Sequence, residues 1–172
     1  MNVQNIVIVS DIFESLVTAS AIIFGGIWGY WNFVIKRQSI WNLQLSLEPE
    51  ILTYNSGQRL LVVYVVLKNT GQVKVIPGPK GCRISIWEIP KNKEKGNQIF
   101  PKEGKVLLKN IDILRKYKEK GGYWKYEIEP NCQYQEVEAI TVMKGDLLGI
   151  EVKFYPPEDD DFINETKIIK VN

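Results

Sequence analysis

The chain has 172 residues, of which 45% are hydrophobic, and its formal net charge is +2. It contains no histidine, which excludes Ser–His–Asp and Cys–His nucleophile pairs and removes the commonest transition-metal ligand. Cys82 and Cys132 are its only cysteines. They are too few for a four-cysteine zinc site and too far apart for a Cys-x-x-Cys redox pair. We therefore expect a protein without enzymatic activity, cofactor or metal site.

An uncharged segment near the amino terminus, Leu16–Ile35, reads LVTASAIIFGGIWGYWNFVI. Its 20 residues in helical form span about 30 Å, the thickness of the hydrocarbon core of a bilayer. Asp11 and Glu14 have the spacing of a capping box, which predicts that the helix begins just after Asp11. We therefore expect one transmembrane helix and divide the chain into a lead-in (1–11), a transmembrane helix (12–37) and a folded domain (38–172).

The flanks of this segment predict the side of the membrane on which the domain lies. No Lys or Arg precedes Lys36 and Arg37, so the only positive flank follows the helix. By the positive-inside rule, the domain is then cytoplasmic. Trp28, Tyr30 and Trp31 cluster in the last turns before this basic pair, as an interfacial aromatic belt does. The lipid bilayer is therefore the first partner that we expect.

Three small residues within the segment are spaced four apart: Ala21, Gly25 and Gly29. This spacing places them on one helix face, and the small-xxx-small pattern lets two helix backbones approach closely. It predicts self-association or docking on another membrane protein. The alternative is that glycine is simply common in membrane helices.

Charge is distributed unevenly over the rest of the chain. Residues 91–125 carry eleven Lys or Arg and four acidic residues, whereas residues 126–172 carry four Lys and eleven acidic residues. One interpretation is that these are exposed loops that partly pair with each other. The other is a basic surface that faces the anionic cytoplasmic leaflet. The lysines follow no recognised nucleic-acid motif, so we expect no nucleic-acid partner.

After Arg37 the hydrophobic pattern changes to the period of two that is typical of strands. Alternation at Trp41–Glu48 predicts a first strand that Pro49 ends, and the apolar run Leu60–Leu67 predicts a central strand covered on both faces. Further strands are predicted at Gln72–Ile76, Cys82–Ile89, Tyr123–Glu129, Gln133–Met143, Leu147–Tyr155 and Phe162–Val171, and a strand followed by a short helix at Val106–Lys120. About eight short strands with frequent turns indicate an all-β fold, an antiparallel β-sandwich or barrel.

Two segments of this region are similar to bacterial immunoglobulin-like modules. Residues 62–75, VVYVVLKNTGQVKV, resemble their succession of a hydrophobic strand, an Asn-x-Gly turn and a second strand, and Glu129–Pro130 resembles the corner before a later strand. The Cys–Trp–Cys arrangement of true immunoglobulin domains is missing. The resemblance implies an immunoglobulin-like β-sandwich that binds proteins or glycans without catalytic residues. Adhesive modules of this kind usually lie outside the cell, which conflicts with the topology that the flanking charges predict.

Three further groups of residues have both a functional and a structural interpretation. The acidic segment Glu158–Asp161 offers oxygens to Ca²⁺, but about six or more must converge on that ion, and a solvated loop is the simpler interpretation. Three glutamates that alternate along predicted strands are expected to face water: Glu127, Glu136 and Glu138. Three tryptophans are expected in the core rather than on a ligand platform: Trp41, Trp87 and Trp124.

These patterns together predict a single-pass membrane protein that acts as a non-enzymatic interaction or accessory module, with a protein partner or a second copy bound through the helix. One alternative is a ligand-sensing membrane effector, and the other is an extracytoplasmic adhesion module. A deep pocket would favour the effector, whereas a filled core and an exposed edge strand would favour docking. A Cys82–Cys132 bridge would support the adhesion module, because disulfides persist outside the cytoplasm.

Overall fold

A computed structural model describes residues 3–35, 41–91, 95–96, 103–120, 122–123, 125–157 and 162–172. The chain divides into two compact units, residues 1–40 and residues 41–172. The described residues of the first unit are helical, and those of the second form two antiparallel sheets. The boundary between the units falls where the hydrophobic pattern changes from an unbroken apolar run to alternation.

Helix α1 extends over Val3–Tyr30 and continues as a π-helical turn over Trp31–Ile35. The capping-box prediction is wrong, because Asp11 and Glu14 lie inside α1 rather than at its start. Within the helix, Phe13–Ile35 is long and apolar enough to cross a membrane, a property that an amino-terminal signal sequence shares. None of its residues is buried, so this apolar helix lacks a protein core against which to pack.

Seven strands are present among the described residues of the second unit. One sheet has the order β1-β2-β5 and consists of β1 (Leu43–Asn55), β2 (Gln58–Asn69) and β5 (Gln133–Met143). The other has the order β4-β3-β6-β7 and consists of β3 (Cys82–Glu88), β4 (Val106–Asp112), β6 (Leu147–Phe154) and β7 (Ile163–Lys170). A 3₁₀ turn at Arg115–Tyr117 follows β4, as the sequence predicted for a short helix there. The prediction of a mostly β unit after one apolar helix is confirmed.

Strand β1 continues past Pro49, where the sequence predicted its end. Proline is accommodated there because β1 pairs only with β2 and is therefore an edge strand of its sheet. The two strands form a hairpin, and Gly57 in its turn has a φ of 82° that favours glycine. The central position predicted for the apolar run is also confirmed, because β2 pairs with both β1 and β5.

Two predicted strands, Gln72–Ile76 and Tyr123–Glu129, do not form among the described residues. A single bridge joins these segments, in which Val75 and Ile128 exchange backbone hydrogen bonds of 3.0 and 2.9 Å. Each segment is closed by a proline, Pro77 or Pro130, which cannot donate a further ladder bond. The segments are therefore short connections whose side chains pack against the core.

One hydrophobic core takes side chains from both sheets. Alternate residues of β2 contribute to it (Leu61, Val63, Val65 and Leu67), as do inward residues of β3 and β6 (Ile84, Ile86, Leu148, Ile150, Val152 and Phe154). Trp87 is buried, as predicted, and packs on Gly149, where an added Cβ would lie 2.3 Å from the indole ring. Trp41 is partly buried against the core, and Trp124 lies outside the described residues.

The edge strands β1, β7 and β4 carry features that discourage pairing with another chain, whereas the edge strand β5 has an uninterrupted register. Lys167 on β7 donates to the backbone oxygen of Leu47 on β1 at 3.1 Å, so it reaches across from one edge to the other. Strand β4 pairs with β3 through an interrupted register, and its Asn110 has a φ of 54°. Such irregularities interrupt the straight row of donors and acceptors that an added strand would need.

The fully buried Asn69 closes the end of β2 with five hydrogen bonds, one of which its backbone oxygen accepts from Asn131 N at 2.9 Å. Its side-chain amide donates to Val73 O at 2.8 Å and to Ile128 O at 2.9 Å, and its side-chain oxygen accepts from Gly71 N at 2.9 Å. Its backbone N–H donates to Cys132 O at 3.0 Å, at the start of β5. A single side chain thereby satisfies buried backbone groups of two connections.

We expect Asn69→Ala to lower the free energy of unfolding by about 3 kcal/mol, because it leaves several buried backbone groups without partners. The matched control is Asn164→Ala on the exposed face of β7, for which we expect a change within about 0.5 kcal/mol. Urea unfolding of the full chain in mild detergent, followed by circular dichroism of the sheets, measures both. Equal stability of the two variants would contradict the role given to Asn69.

Candidate functional site

The predicted association stripe lies on α1, with Ala21, Gly25 and Gly29 spaced one turn apart. An added Cβ at Gly25 or Gly29 meets no described atom within 4 Å. The backbone is therefore accessible along this face, as close helix packing requires. Association through the stripe stays a prediction.

Polar side chains within the apolar helix satisfy their donors on the helix itself. The Ser20 hydroxyl donates to Leu16 O at 2.7 Å, and the Asn32 amide donates to Trp28 O at 3.2 Å. Both bonds are made to the carbonyl four residues earlier. In a hydrocarbon environment, polar groups must form hydrogen bonds within the protein, because no water is present to bind them.

The predicted interfacial aromatics are exposed at the end of the helix. Trp28, Tyr30 and Trp31 lie in the last turn of α1 and the start of the π-helical turn, and each is about 60% exposed or more. Lys36 and Arg37, the basic pair that would mark the interface, lie outside the described residues. Their role and the aromatic belt stay predictions.

The second unit contains a cluster of tyrosines around a buried carboxylate, which we call the tyrosine–glutamate cluster (Lys116, Tyr117, Tyr126, Tyr134 and Glu136). The 3₁₀ turn supplies the first two residues, and β5 supplies the last two on its inward face. The Tyr126 ring lies 4.9 Å from that of Tyr117 and 5.7 Å from that of Tyr134, centroid to centroid.

Glu136 is 5% exposed, so the prediction that it faces water is wrong. It lies opposite Val65 of the central strand, on the side of β5 that faces the core. Glu138 is also largely covered, whereas Glu127 is partly exposed and pairs with Lys74 at 2.9 Å. A lysine or arginine within reach of each inward carboxylate is the feature that compensates its burial.

Cations from the 3₁₀ turn meet these carboxylates. Lys116 Nζ lies 2.9 Å from Glu136 Oε2 and 4.8 Å from the centroid of the Tyr117 ring. The hydrogen bond to Glu136 raises the pKa of Lys116, so its ammonium form is stabilised. Arg115 pairs with Glu138. The expected pairing between the basic and acidic segments of the sequence is thus confirmed at these two positions.

Tyr126 is the least satisfied polar group of the cluster. It is 4% exposed, and its hydroxyl has no hydrogen-bond partner among the residues that the structure describes. Burial raises its pKa, and the Glu136 carboxylate raises it further, so the hydroxyl stays protonated. Unpaired buried polar atoms are rare in folded proteins and indicate a place where a ligand or water can bind.

Both thiols of the chain are free, and they differ in accessibility. Cys82 is fully buried on β3, whereas Cys132 is exposed just before β5. Burial raises the pKa of Cys82, so its thiol stays protonated and unreactive. Cys132 is the thiol that reagents can reach in the folded protein.

Open depressions on the described part of the second unit include a cleft, a groove and a third depression of about 260 Å³ whose lining contains Glu88, Lys105 and Asp146. A cleft of about 200 Å³ is apolar and is lined by Ile76, Pro77, Gly78, Pro79, Gly122, Tyr123 and Pro157. A groove of about 500 Å³ runs beside β1 and β7 and includes polar and charged residues such as Lys68 and Glu165. The cleft is smaller than most ligand pockets, and the groove lacks their mainly apolar lining. The acidic segment Glu158–Asp161 lies outside the described residues.

The sheet formed by β1, β2 and β5 has a second face that points away from the core. On this face, strand pairing places Leu52 of β1 opposite Leu60 of β2, and Tyr64 of β2 opposite Val137 of β5. The exposed fractions are 40% for Leu52, 50% for Val137 and 54% for Met143. Two carboxylates, Glu48 and Glu50, flank this face on β1. We call it the outer face.

No protein-family model and no curated protein matches the sequence. A crystal structure from Bordetella pertussis, described as an ApaA protein, aligns with a TM-score of 0.38 and 12% identity over 76% of this chain and 94% of that chain. A structural-genomics target aligns with the same TM-score and identity over 75% and 84%. A Bacillus subtilis protein described as a lipoprotein aligns with a TM-score of 0.36 and 15% identity over 78% of this chain and 38% of that chain. Similarity at this level assigns neither family nor function.

We expect Gly25→Ile and Gly29→Ile to convert the detergent-solubilised protein to a monomer, because branched side chains would separate the two helix backbones. The matched control is Gly26→Ile, which adds the same bulk about 100° around the helix, at another position with open space. Light scattering in mild detergent measures the mass of each protein. An unchanged oligomer in the Gly25 and Gly29 variants, or a monomeric wild type, would contradict self-association through this stripe.

Proposed function

We propose that the chain is a single-pass membrane protein whose second unit is a non-enzymatic interaction or accessory module at the membrane surface. The observation that carries the proposal is the exposure of Phe13–Ile35, a helical segment of 23 residues in which none is buried. A helix this long and apolar is unstable in water unless a bilayer or a partner covers it. Internal hydrogen bonds of Ser20 and Asn32 support a hydrocarbon environment.

The proposal places the second unit in the cytoplasm. Lys36 and Arg37, which follow the helix, support this side by the positive-inside rule. The two cysteines also support it, because the domain has its thiols unpaired, with Cys82 in the core. A reducing compartment keeps thiols in that state. The same observation disfavours the extracytoplasmic adhesion module.

The two sheets are proposed to form an immunoglobulin-like β-sandwich. The first, second and fifth strands share one sheet, and the third, sixth and seventh share the other, as strands A, B, E and C, F, G do in that fold. Strand β4 pairs with β3, which corresponds to the position of strand C′. The common core between the sheets supports this arrangement.

Docking through the outer face is favoured over pairing at a sheet edge. Lys167 lies at the edges formed by β7 and β1, and the irregular register of β4 obstructs a third edge, whereas the outer face presents Val137 and Met143 to solvent. Exposed apolar groups gathered on one face mark interaction surfaces. Because Glu48 and Glu50 flank the face, the proposed partner has an apolar surface bordered by basic residues.

An enzymatic role is not proposed, because the inward carboxylates of β5 and one of the two thiols are engaged or shielded. Glu136 and Glu138 are held in ion pairs, and the Cys82 thiol is buried. A carboxylate pair serves in hydrolysis only when both groups face a substrate-sized space. These observations support a binding function for the unit.

We expect the intact tagged chain, purified in mild detergent, to carry a stoichiometric protein partner that the double variant Val137→Lys, Met143→Lys loses about tenfold or more. Two ammonium groups within an apolar contact would have to be desolvated without partners. Quantitative mass spectrometry of the purified material measures the ratio.

The control for this experiment is Ile168→Lys, which places a single ammonium group on β7 at a side chain that is 63% exposed. It should retain the partner. A chain that emerges alone, or a partner retained equally by the double variant, would contradict docking through the outer face.

A further inference from the structure

In the tyrosine–glutamate cluster, the exposed ammonium group of Lys116 lies between a buried carboxylate and an aromatic ring. Lys116 Nζ is bound by the Glu136 carboxylate at 2.9 Å and lies over the Tyr117 ring at 4.8 Å. A carboxylate and an aromatic face are the two features by which proteins bind organic cations. The ion in this site belongs to the chain itself.

We propose that Glu136, Tyr117 and Tyr126 form a binding site for a small primary aliphatic amine, in which Lys116 is the resident ammonium group. An amine enters when the Lys116 side chain moves into solvent. This inference is independent of docking through the outer face, because the site lies on the opposite side of β5. It assigns to the unit a ligand of defined chemistry.

The two partners of the ion pair differ in freedom. The Lys116 side chain is 60% exposed and lies on a single 3₁₀ turn. The Glu136 side chain is 6% exposed and lies on strand β5. An exposed lysine exchanges one partner for water at little free-energy cost. The buried Glu136 carboxylate cannot exchange its partner for water, so without a cation it would remain an uncompensated buried charge. The site therefore consists of a fixed anion and a replaceable cation.

Tyr126 indicates which kind of cation the site takes. Its hydroxyl is buried near the Glu136 carboxylate but makes no hydrogen bond of good geometry with a described residue. A primary ammonium group has three N–H donors, enough to serve the carboxylate and the tyrosine oxygen together. A quaternary ammonium ion has none. The neighbouring carboxylate of Glu138 is engaged by Arg115, which leaves Glu136 as the anion for the ligand.

The test uses the full chain in mild detergent and phosphate buffer, with n-butylammonium chloride as the probe. Lys116→Ala vacates the site and leaves Glu136 buried without its cation, so we expect its Tm to fall. Butylammonium should then bind saturably and raise the Tm by about 4 °C at ten times its Kd. In the wild type, the resident lysine competes, and we expect the apparent Kd to be at least about tenfold weaker.

Three controls define the chemistry of the effect. Tetramethylammonium chloride at the same concentration carries the charge without N–H donors, and sodium chloride reports ionic strength alone. Lys116→Ala with Glu136→Gln removes the anion and should not respond to butylammonium. If Lys116→Ala does not fold, Lys116→Gln takes its place in the test. The glutamine amide can donate a hydrogen bond to the Glu136 carboxylate, so we expect this variant to fold.

Saturable binding of butylammonium that requires Glu136 supports the proposal, as does recovery of folding by the amine. Absence of saturable binding in both Lys116 variants would overturn it. An equal response to tetramethylammonium or sodium would also overturn it, because the site would then respond to charge or ionic strength alone.

Discussion

The buried amide of Asn69 is the constraint on which the arrangement of the β-sheet unit depends. It binds Val73 and Ile128 through their carbonyls and receives the N–H of Gly71. Its backbone ties the end of β2 to the connection that enters β5. Two connections without ladders of their own are thereby held in place. The bonds also join the first segment of the immunoglobulin-like resemblance to residues on either side of the second, Glu129–Pro130.

The position of the tyrosine–glutamate cluster depends on the hydrogen bonds of Asn69. Tyr126 precedes the bonded Ile128 by two residues, and the start of β5 is fixed by the hydrogen bond from Asn69 to Cys132. Because side chains alternate along a strand, this start determines that Glu136 faces inward. A polar contact at one end of the sheet therefore places a carboxylate in the core, where Lys116 compensates its charge.

Much of the strand pattern could be predicted from the sequence, because hydrophobic alternation and turn residues act locally. Burial of Glu136 could not, since both faces of β5 mix polar and apolar residues, and alternation alone does not say which faces the core. Pro49 was misleading for a related reason: its effect depends on whether the strand lies at an edge. The start of α1 was missed because apolar residues before Asp11 continue the helix. Each of these wrong predictions concerns a feature that cannot be read from the local sequence pattern alone.

The two units differ in character, although the composition of the whole chain does not show it. The helix is apolar and exposed, and the sheet unit has its own core, so neither needs the other to satisfy its buried groups. A net charge of +2 conceals basic and acidic segments that neutralise one another at Arg115 and Lys116. The outer face, where apolar side chains lie beside the carboxylates of β1, is the surface that we propose for docking.

Labelling of Cys132 with a membrane-impermeant maleimide in cells that express the full chain tests most directly whether the helix anchors a cytoplasmic domain. Cys132 is exposed and Cys82 is buried with a raised pKa, so the label reports one position, and Cys132→Ser provides the blank. The account predicts no label in intact cells, and label after permeabilisation on a 19.8 kDa protein in the membrane fraction. Label in intact cells, or on a shorter protein that has lost its helix, would contradict it.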